Sequence, residues 1–348
     1  MRLGVNLGYW GAGNDADNLA LAREADRLGY SVAWAAEAYG SDAPTVLSWV
    51  AAQTQNIDVG SAVFQIPGRT PANCAMTAAT LDTLSGGRFR LGLGVSGPQV
   101  SEGWHGVKFD KPLARTREYT EIVRKALRRE RLTYDGEFFT LPLPDGPGKA
   151  LTLTVHPVRE HIPMYLAAIG PKNLELTGEL FDGWLAIFYS PEFGGELLTH
   201  IDAGRQKVGK TMADFDVVPT VPVVLGDDLE ACAAPVRAYS ALYIGGMGSR
   251  EKNFYNRLAV SMGYEQAAQE IQDKYLAKDQ AGAMAAVPLE FIDKTALIGP
   301  PDRVKDRLHA YADSGVTTLT VATWGANLEQ GLQTLRTMAE LVEQAGLA

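Results

Sequence analysis

Eight times along the chain a short apolar run gives way to a helical pattern, and this rhythm limits the possible folds more than any other feature. The runs fall at 3–8, 31–37, 57–64, 88–95, 162–168, 183–188, 216–226 and 316–323. Strands that alternate with helices lie parallel, because each helix returns the chain to the edge it left. Eight such units predict an α/β fold closed into a (β/α)8 TIM barrel, with an open doubly wound sheet as the alternative. A barrel of this kind takes roughly 250 residues. The chain has 348, and the surplus sits in two insertions, about 131–161 and 245–299. The first carries LPLPDGPGKALTLT, a Pro/Gly cluster between apolar runs that predicts a hairpin. The second is mostly helical and rich in Tyr, Met and Gln; Tyr243, Met247, Tyr255, Arg257 and Met262 suit a cover over a pocket or a subunit contact. Residues 1–348 thus read as a single domain.

The helical patterns carry local signals. In 112–130, Tyr119, Ile122, Val123, Ala126 and Leu127 share one stripe. Asp17 suits the cap of the first helix, Pro44 the first turn of the second, and the Ala-rich stretch 71–84 a close approach to the sheet.

Charge and cysteine usage narrow the partners. The formal net charge is −9, with 41 acidic against 32 basic residues, which disfavours nucleic acid and anionic membrane surfaces. No stretch approaches the ~18 apolar residues of a membrane span, and MRLGVNLGYW reads as a first strand instead of a signal peptide. Cys74 and Cys232 cannot make a disulfide framework and are expected buried and reduced, as in a cytoplasmic protein. The five histidines (105, 156, 161, 200 and 309) show no metal-ligand spacing, and no metal is expected.

Within 88–106 the segment GLGVSG places glycines at 92, 94 and 97, the spacing of a dinucleotide-binding loop. That loop needs its third glycine to open a helix directly. Here PQVSEGWHGVKFD follows, a Pro-interrupted polar stretch expected to run without helix to Pro112. The better reading is a barrel strand feeding a long loop on the rim where barrels build their active sites. Gly94, Ser96 and Gly97 would let a flat ligand lie against the backbone.

The runs AMTAATLDTLSGGRFRLGLGVSGPQVSEGWHG, AAIGPKN (167–173) and DGWLAIFYSPE (182–192) resemble the luciferase-like oxidoreductases, and most closely the branch that uses coenzyme F420, a 5-deazaflavin. The resemblance covers most of the chain and weakens across 226–299. It implies a barrel with the flat ring at its C-terminal mouth, backed by a non-proline cis peptide at Ala62–Val63 with Phe64 next. It also implies a cofactor tail wrapped by Ala167, Ala168, Ile169, Gly170, Pro171 and Lys172, with Ser96 and Gly97 beside the ring and Arg69 as a second candidate for the tail. Homodimers are common among such relatives.

A deazaflavin moves hydride itself, so the protein must hold the reactants, exclude water and handle a proton. Glu102, five residues after Gly97, is the first candidate acid, since a carboxyl desolvated beside a flat ring would have a raised pKa and could act as a general acid. His105 is the second. Glu37 ends the second strand, where sugar-phosphate dehydrogenase relatives carry an acid and then a histidine; Ala38 takes the histidine's place here. The predicted activity is hydride transfer between coenzyme F420 and a small organic substrate. An FMN-dependent monooxygenase and a non-catalytic deazaflavin-binding protein are the alternatives.

Overall fold

The structure, a computed structural model, describes residues 1–11, 15–325 and 327–348. Eight parallel strands close on themselves: β1 (Arg2–Asn6), β2 (Val32–Ala35), β3 (Asp58–Ser61), β4 (Phe89–Gly94), β5 (Met164–Ala167), β6 (Gly183–Ile187), β7 (Asp216–Leu225) and β8 (Thr318–Thr323). Each pairs with its successor, and β8 returns to β1 with Arg2 opposite Thr318 and Val5 opposite Val321. The fold is a (β/α)8 barrel, and the open-sheet alternative falls away. Phe64–Gln65 resumes pairing with β4 after the Ala62–Val63 peptide, which is cis. Leu297–Gly299 adds a further short strand along the far end of β7, past the last residue of β7 that pairs with β6.

Proline starts most of the barrel helices. α1 (Asp15–Arg27) and α2 (Ala43–Gln53) are followed by α3 (Pro71–Leu84), α4 (Pro98–Gly103), α5 (Pro112–Leu127), α6 (Pro171–Leu180) and α7 (Pro191–Lys207). Proline's fixed φ suits a first turn, and the N–H it lacks would go unpaired there. The stripe read on α5 is buried at Tyr119, Ile122, Val123 and Ala126. After β7 come α8 (Leu229–Ala241), capped by Asp228, and a π-helical turn over Leu242–Gly246. The second insertion then forms α9 (Phe254–Ser261), α10 (Glu265–Leu276), α11 (Gln280–Ala285) and α12 (Leu289–Thr295), around a hydrophobic cluster of its own that includes Ile244, Ile271 and Phe291. α13 (Pro301–Asp313) and α14 (Leu328–Gln344) complete the ring.

Three local expectations need correction. α1 starts at Asp15, so Asp17 lies inside its first turn instead of capping it. The segment after Gly97 is helical at once, as α4, because Pro98 is set for a first turn. The inserted hairpin is real, Tyr134–Asp135 against Thr140–Leu141, but its turn is 136–139 and not the Pro/Gly cluster. The Glu118 carboxylate on α5 accepts from the N–H groups of Glu137, Phe138 and Phe139 and holds that turn in place.

The barrel interior is filled rather than open. Trp34 meets Tyr165 edge-on, ring centroids 5.3 Å apart, with Val32, Val218, Ala62 and Leu185 around them. Gly60 is glycine because a Cβ there would stand 2.3 Å from the Trp34 ring. Toward the strand starts, Arg90 pairs with Asp58 at 2.7 Å, and Asp216 accepts from Tyr165 (3.0 Å) and Thr318 (2.8 Å). This polar plug closes the end of the barrel opposite the active-site rim, where such residues serve stability.

Among the described residues, no helix is long and apolar enough to cross a membrane, and no group of three His, Cys, Asp or Glu side chains is placed to hold a metal. Both cysteines are free and buried.

Candidate active site at the barrel mouth

The strands leave their ladders before the apolar runs end, and the residues beyond them build the rim. β2 stops at Ala35, so Glu37 stands free of the sheet. Its carboxylate grips Arg69 through two hydrogen bonds of 2.8 Å and also accepts from the N–H groups of Gln65 (3.1 Å) and Ala43 (3.3 Å). The pair is nearly buried, with 10% of the Glu37 side chain and 11% of the Arg69 side chain exposed. These contacts tie the loop after β2 to the loop after β3. Between them these bonds occupy the Glu37 carboxylate and the Arg69 guanidinium and form a clamp between the two loops. The Phe64 side chain is fully buried, against Phe89 and beneath the Arg69 guanidinium at 4.5 Å, and packs the barrel wall.

The glycines of β4 make room for β3. A Cβ on Gly92 would lie 1.9 Å from the Ser61 carbonyl oxygen, and one on Gly94 would lie 2.4 Å from Val63 Cγ2. Ser61 Oγ both donates to the Gly92 carbonyl (2.8 Å) and accepts from its N–H (2.9 Å). The end of β3 therefore settles into β4, leaving a floor at the mouth that is poor in side chains. Just beyond it Ser96 takes a left-handed conformation, φ 59°, and Phe188 after β6 does the same at φ 50°. Non-glycine residues hold that conformation only where the surroundings enforce it, and such positions gather at ligand sites.

Ser96 opens a short polar chain. Its hydroxyl accepts from Gln65 Nε2 at 2.9 Å, and Gln65 Oε1 lies 2.9 Å from His105 Nε2. With Gln65 oriented this way its amide oxygen accepts, which matches the His105 tautomer with the proton on Nε2 and leaves the Ser96 O–H to donate elsewhere. Gln65 escaped the sequence reading because its partners lie 31 and 40 residues away. Glu102 faces differently. It is exposed, and its Oε1 accepts from the Phe109 N–H at 2.9 Å. With the reciprocal Ser101–Val107 hydrogen bonds (2.7 and 2.8 Å) it fastens its own loop. The structure brings His105, Ser96 and Gln65 together and leaves Glu102 outside that group.

On the next strand, Trp184 Nε1 donates to the Ala168 carbonyl at 2.8 Å and fixes the loop that follows β5. Ile169 packs against the cluster of the second insertion. Gly170 caps α6 with no side chain over the helix start, and no atom lies within 4 Å of where its Cβ would be. Pro171 and Lys172 are exposed, and Asn173 Oδ1 is buried without a partner. The Asn173 and Leu174 N–H groups both bond to the Gly170 carbonyl (2.9 Å each), so what this helix start offers an anion is the positive end of its dipole, an open approach and a lysine alongside. These residues fit the phosphate-bearing tail of a flavin-like cofactor.

A family model described as luciferase-like monooxygenase matches residues 6–318. The chain is 42% identical over 342 residues to a Mycobacterium tuberculosis protein assigned as a coenzyme F420-dependent oxidoreductase, covering 96% of this chain and 99% of that one. It is 29% identical over 304 residues to a 5,10-methylenetetrahydromethanopterin reductase of Archaeoglobus fulgidus, covering 86% and 87%. The solved coenzyme F420-dependent tetrahydromethanopterin reductase of Methanopyrus kandleri superposes with a TM-score of 0.80 at 23% identity, over 99% of this chain and 98% of that one, and so shares the fold.

Proposed function

The chain belongs to the luciferase-like monooxygenase family, and from that premise we propose a coenzyme F420-dependent oxidoreductase that passes hydride between the deazaflavin and a small organic substrate. One observation carries the reading. The packed seam of Val63 on Gly94 and Ser61 on Gly92 gives a smooth floor at the mouth, beside the bare start of α6 at Gly170.

The residues divide the work. Gly170, Lys172 and the first turn of α6 would hold the anionic tail, and Val63, Ser96 and Gly97 would bound the ring. The coenzyme, when bound, supplies the hydride chemistry at one ring carbon. Ser96, oriented by Gln65, would donate its hydroxyl hydrogen into the mouth, and the His105 ring at the end of that chain would take or return a proton through it. The Glu37–Arg69 clamp keeps the loops carrying Gln65 and Ala43 in register.

The description of the matching family model favours a second reading, an FMN-dependent monooxygenase. Titrating the purified protein with F420 and with FMN, following fluorescence, separates the two. The first reading requires saturable F420 binding with no comparable FMN binding, and the reverse preference overturns it. Gly170→Leu should weaken binding of the preferred cofactor by crowding the helix start.

A further inference from the structure

Four phenols meet at the mouth, from the loop after β1 (Tyr9), α8 (Tyr239), the π-turn (Tyr243) and α9 (Tyr255). Tyr239 and Tyr243 have ring centroids 4.6 Å apart, and Tyr243 and Tyr255 4.8 Å. Trp324, just past β8, stands 5.4 Å from Tyr239, and Phe188, just past β6, packs 5.4 Å from the same ring. Six parts of the chain thus deliver aromatic faces to one place on the rim. Among the described residues, none of the four hydroxyls makes a hydrogen bond. Burial first, and then the neighbouring Tyr9 phenol, pushes the Tyr255 hydroxyl up to about 12; the same two causes raise Tyr243, and Tyr239 is raised by burial and then by its phenol neighbours. The hydroxyls are therefore neutral donors throughout the working pH range.

Phenol donors without partners, set in aromatic walls, lack the features that recognise a phosphorylated or carboxylated substrate. A phosphate needs cations or a helix start, and among the described residues no lysine or arginine stacks on these rings. Flat rings offer stacking surface, and unpaired O–H groups in a partly dry site gain most from an acceptor that arrives with the ligand. From this we infer that the substrate side of the mouth takes an uncharged, planar aromatic molecule bearing a carbonyl oxygen, of the aryl ketone or quinone class. The tyrosine hydroxyls donate to that oxygen, and the rings of Tyr239 and Trp324 face its plane. The inference rests on the mouth being a substrate site, as proposed above.

The test uses 2-acetylnaphthalene as probe, 2-ethylnaphthalene as the same shape without the acceptor, and glucose 6-phosphate as the charged competitor. Binding of each is measured by calorimetry on the full chain, with and without F420, for the wild type and for the Tyr243→Phe/Tyr255→Phe double variant, which keeps the rings and removes two donors. Saturable acetylnaphthalene binding should weaken roughly five- to tenfold in the variant, the size expected for lost hydrogen bonds. Ethylnaphthalene should bind both proteins alike, and glucose 6-phosphate should not compete. Equal acetylnaphthalene affinity in both proteins, or preferential binding of glucose 6-phosphate, overturns the inference. F420 affinity is read separately from cofactor fluorescence. Its absence overturns the cofactor reading, while the probe titrations on the cofactor-free chain still decide this one.

Discussion

Arg69 holds Glu37 in a two-pronged ion pair, 2.8 Å at each contact, across 32 residues of sequence. Both side chains are close to full burial, so the pair behaves as a unit. Removing one partner leaves the other as an uncompensated charge, which costs about 3 kcal/mol or more. Arg69→Ala should therefore lower the melting temperature markedly. Arg69→Lys should recover only part of the loss, because an ammonium cannot reproduce the planar fork. Thermal melts of the three proteins check both statements, and a fully stable Arg69→Ala protein would contradict them.

The glycines at the mouth should differ in their tolerance. Gly92→Ala would force a methyl onto the Ser61 carbonyl at 1.9 Å, and Gly94→Ala onto the Val63 side chain at 2.4 Å. Backbone cannot yield as a side chain can. Gly92→Ala should thus fail to accumulate as folded protein, while Gly94→Ala should fold and lose about tenfold or more in cofactor affinity as Val63 is displaced. Gly170→Ala meets nothing within 4 Å and should match the wild type in stability. Expression, circular dichroism and cofactor titration of the three variants test the ranking.

His105 and Glu102 can be told apart by turnover. His105 joins the Ser96 chain through Gln65, whereas Glu102 binds the Phe109 N–H. His105→Ala should slow turnover by about a hundredfold, the low end of what proton handling contributes. Glu102→Gln keeps an acceptor for Phe109 and should change turnover less than about twofold, since a neutral amide oxygen still accepts. Steady-state kinetics with reduced F420 and an aryl ketone would show it, and the opposite order would return the proton-handling role to Glu102.

Acid should loosen the seam where the first and last helices meet. Glu24 on α1 takes two 2.8 Å bonds from Arg27 and a 2.6 Å bond from Arg336 on α14. The Arg27 contact foremost, then Arg336, lowers its pKa from 4.5 to about 2. A lowered folded value means that the stabilisation is complete above 4.5 and fades as the pH falls from there toward 2. Screening by solvent reduces its worth to about 1 kcal/mol. The wild type should accordingly melt above Glu24→Gln at pH 7, and the gap should narrow by pH 3. A gap that persists at pH 3 would assign the effect to packing.

Much of the barrel was legible before any coordinates. The eight strand segments, the Pro-started helices at 71, 112 and 171, and the two insertions all follow from patterns within about a dozen residues. The missed features are of another kind. Pro98 was read as an interruption when it begins α4, because a proline signals a helix start only if the chain can leave the strand in that direction. Glu102 was the natural acid by its place after Gly97, yet the loop closes on itself through Ser101 and Val107 and turns its carboxylate to Phe109.

By itself the sequence determined the eight barrel strands, where most of the barrel helices begin, and that β4 would be short of side chains along its upper half. Tertiary structure alone decided which groups meet: Glu37 with Arg69, Gln65 with both Ser96 and His105, and Tyr9 with the phenols of the second insertion. The division has a physical cause. A strand or helix is selected by dihedral preference and burial period, which neighbouring residues set among themselves. Partners on a barrel rim are selected by closure, which brings loops more than thirty residues apart to within a hydrogen bond, and no local period encodes that distance.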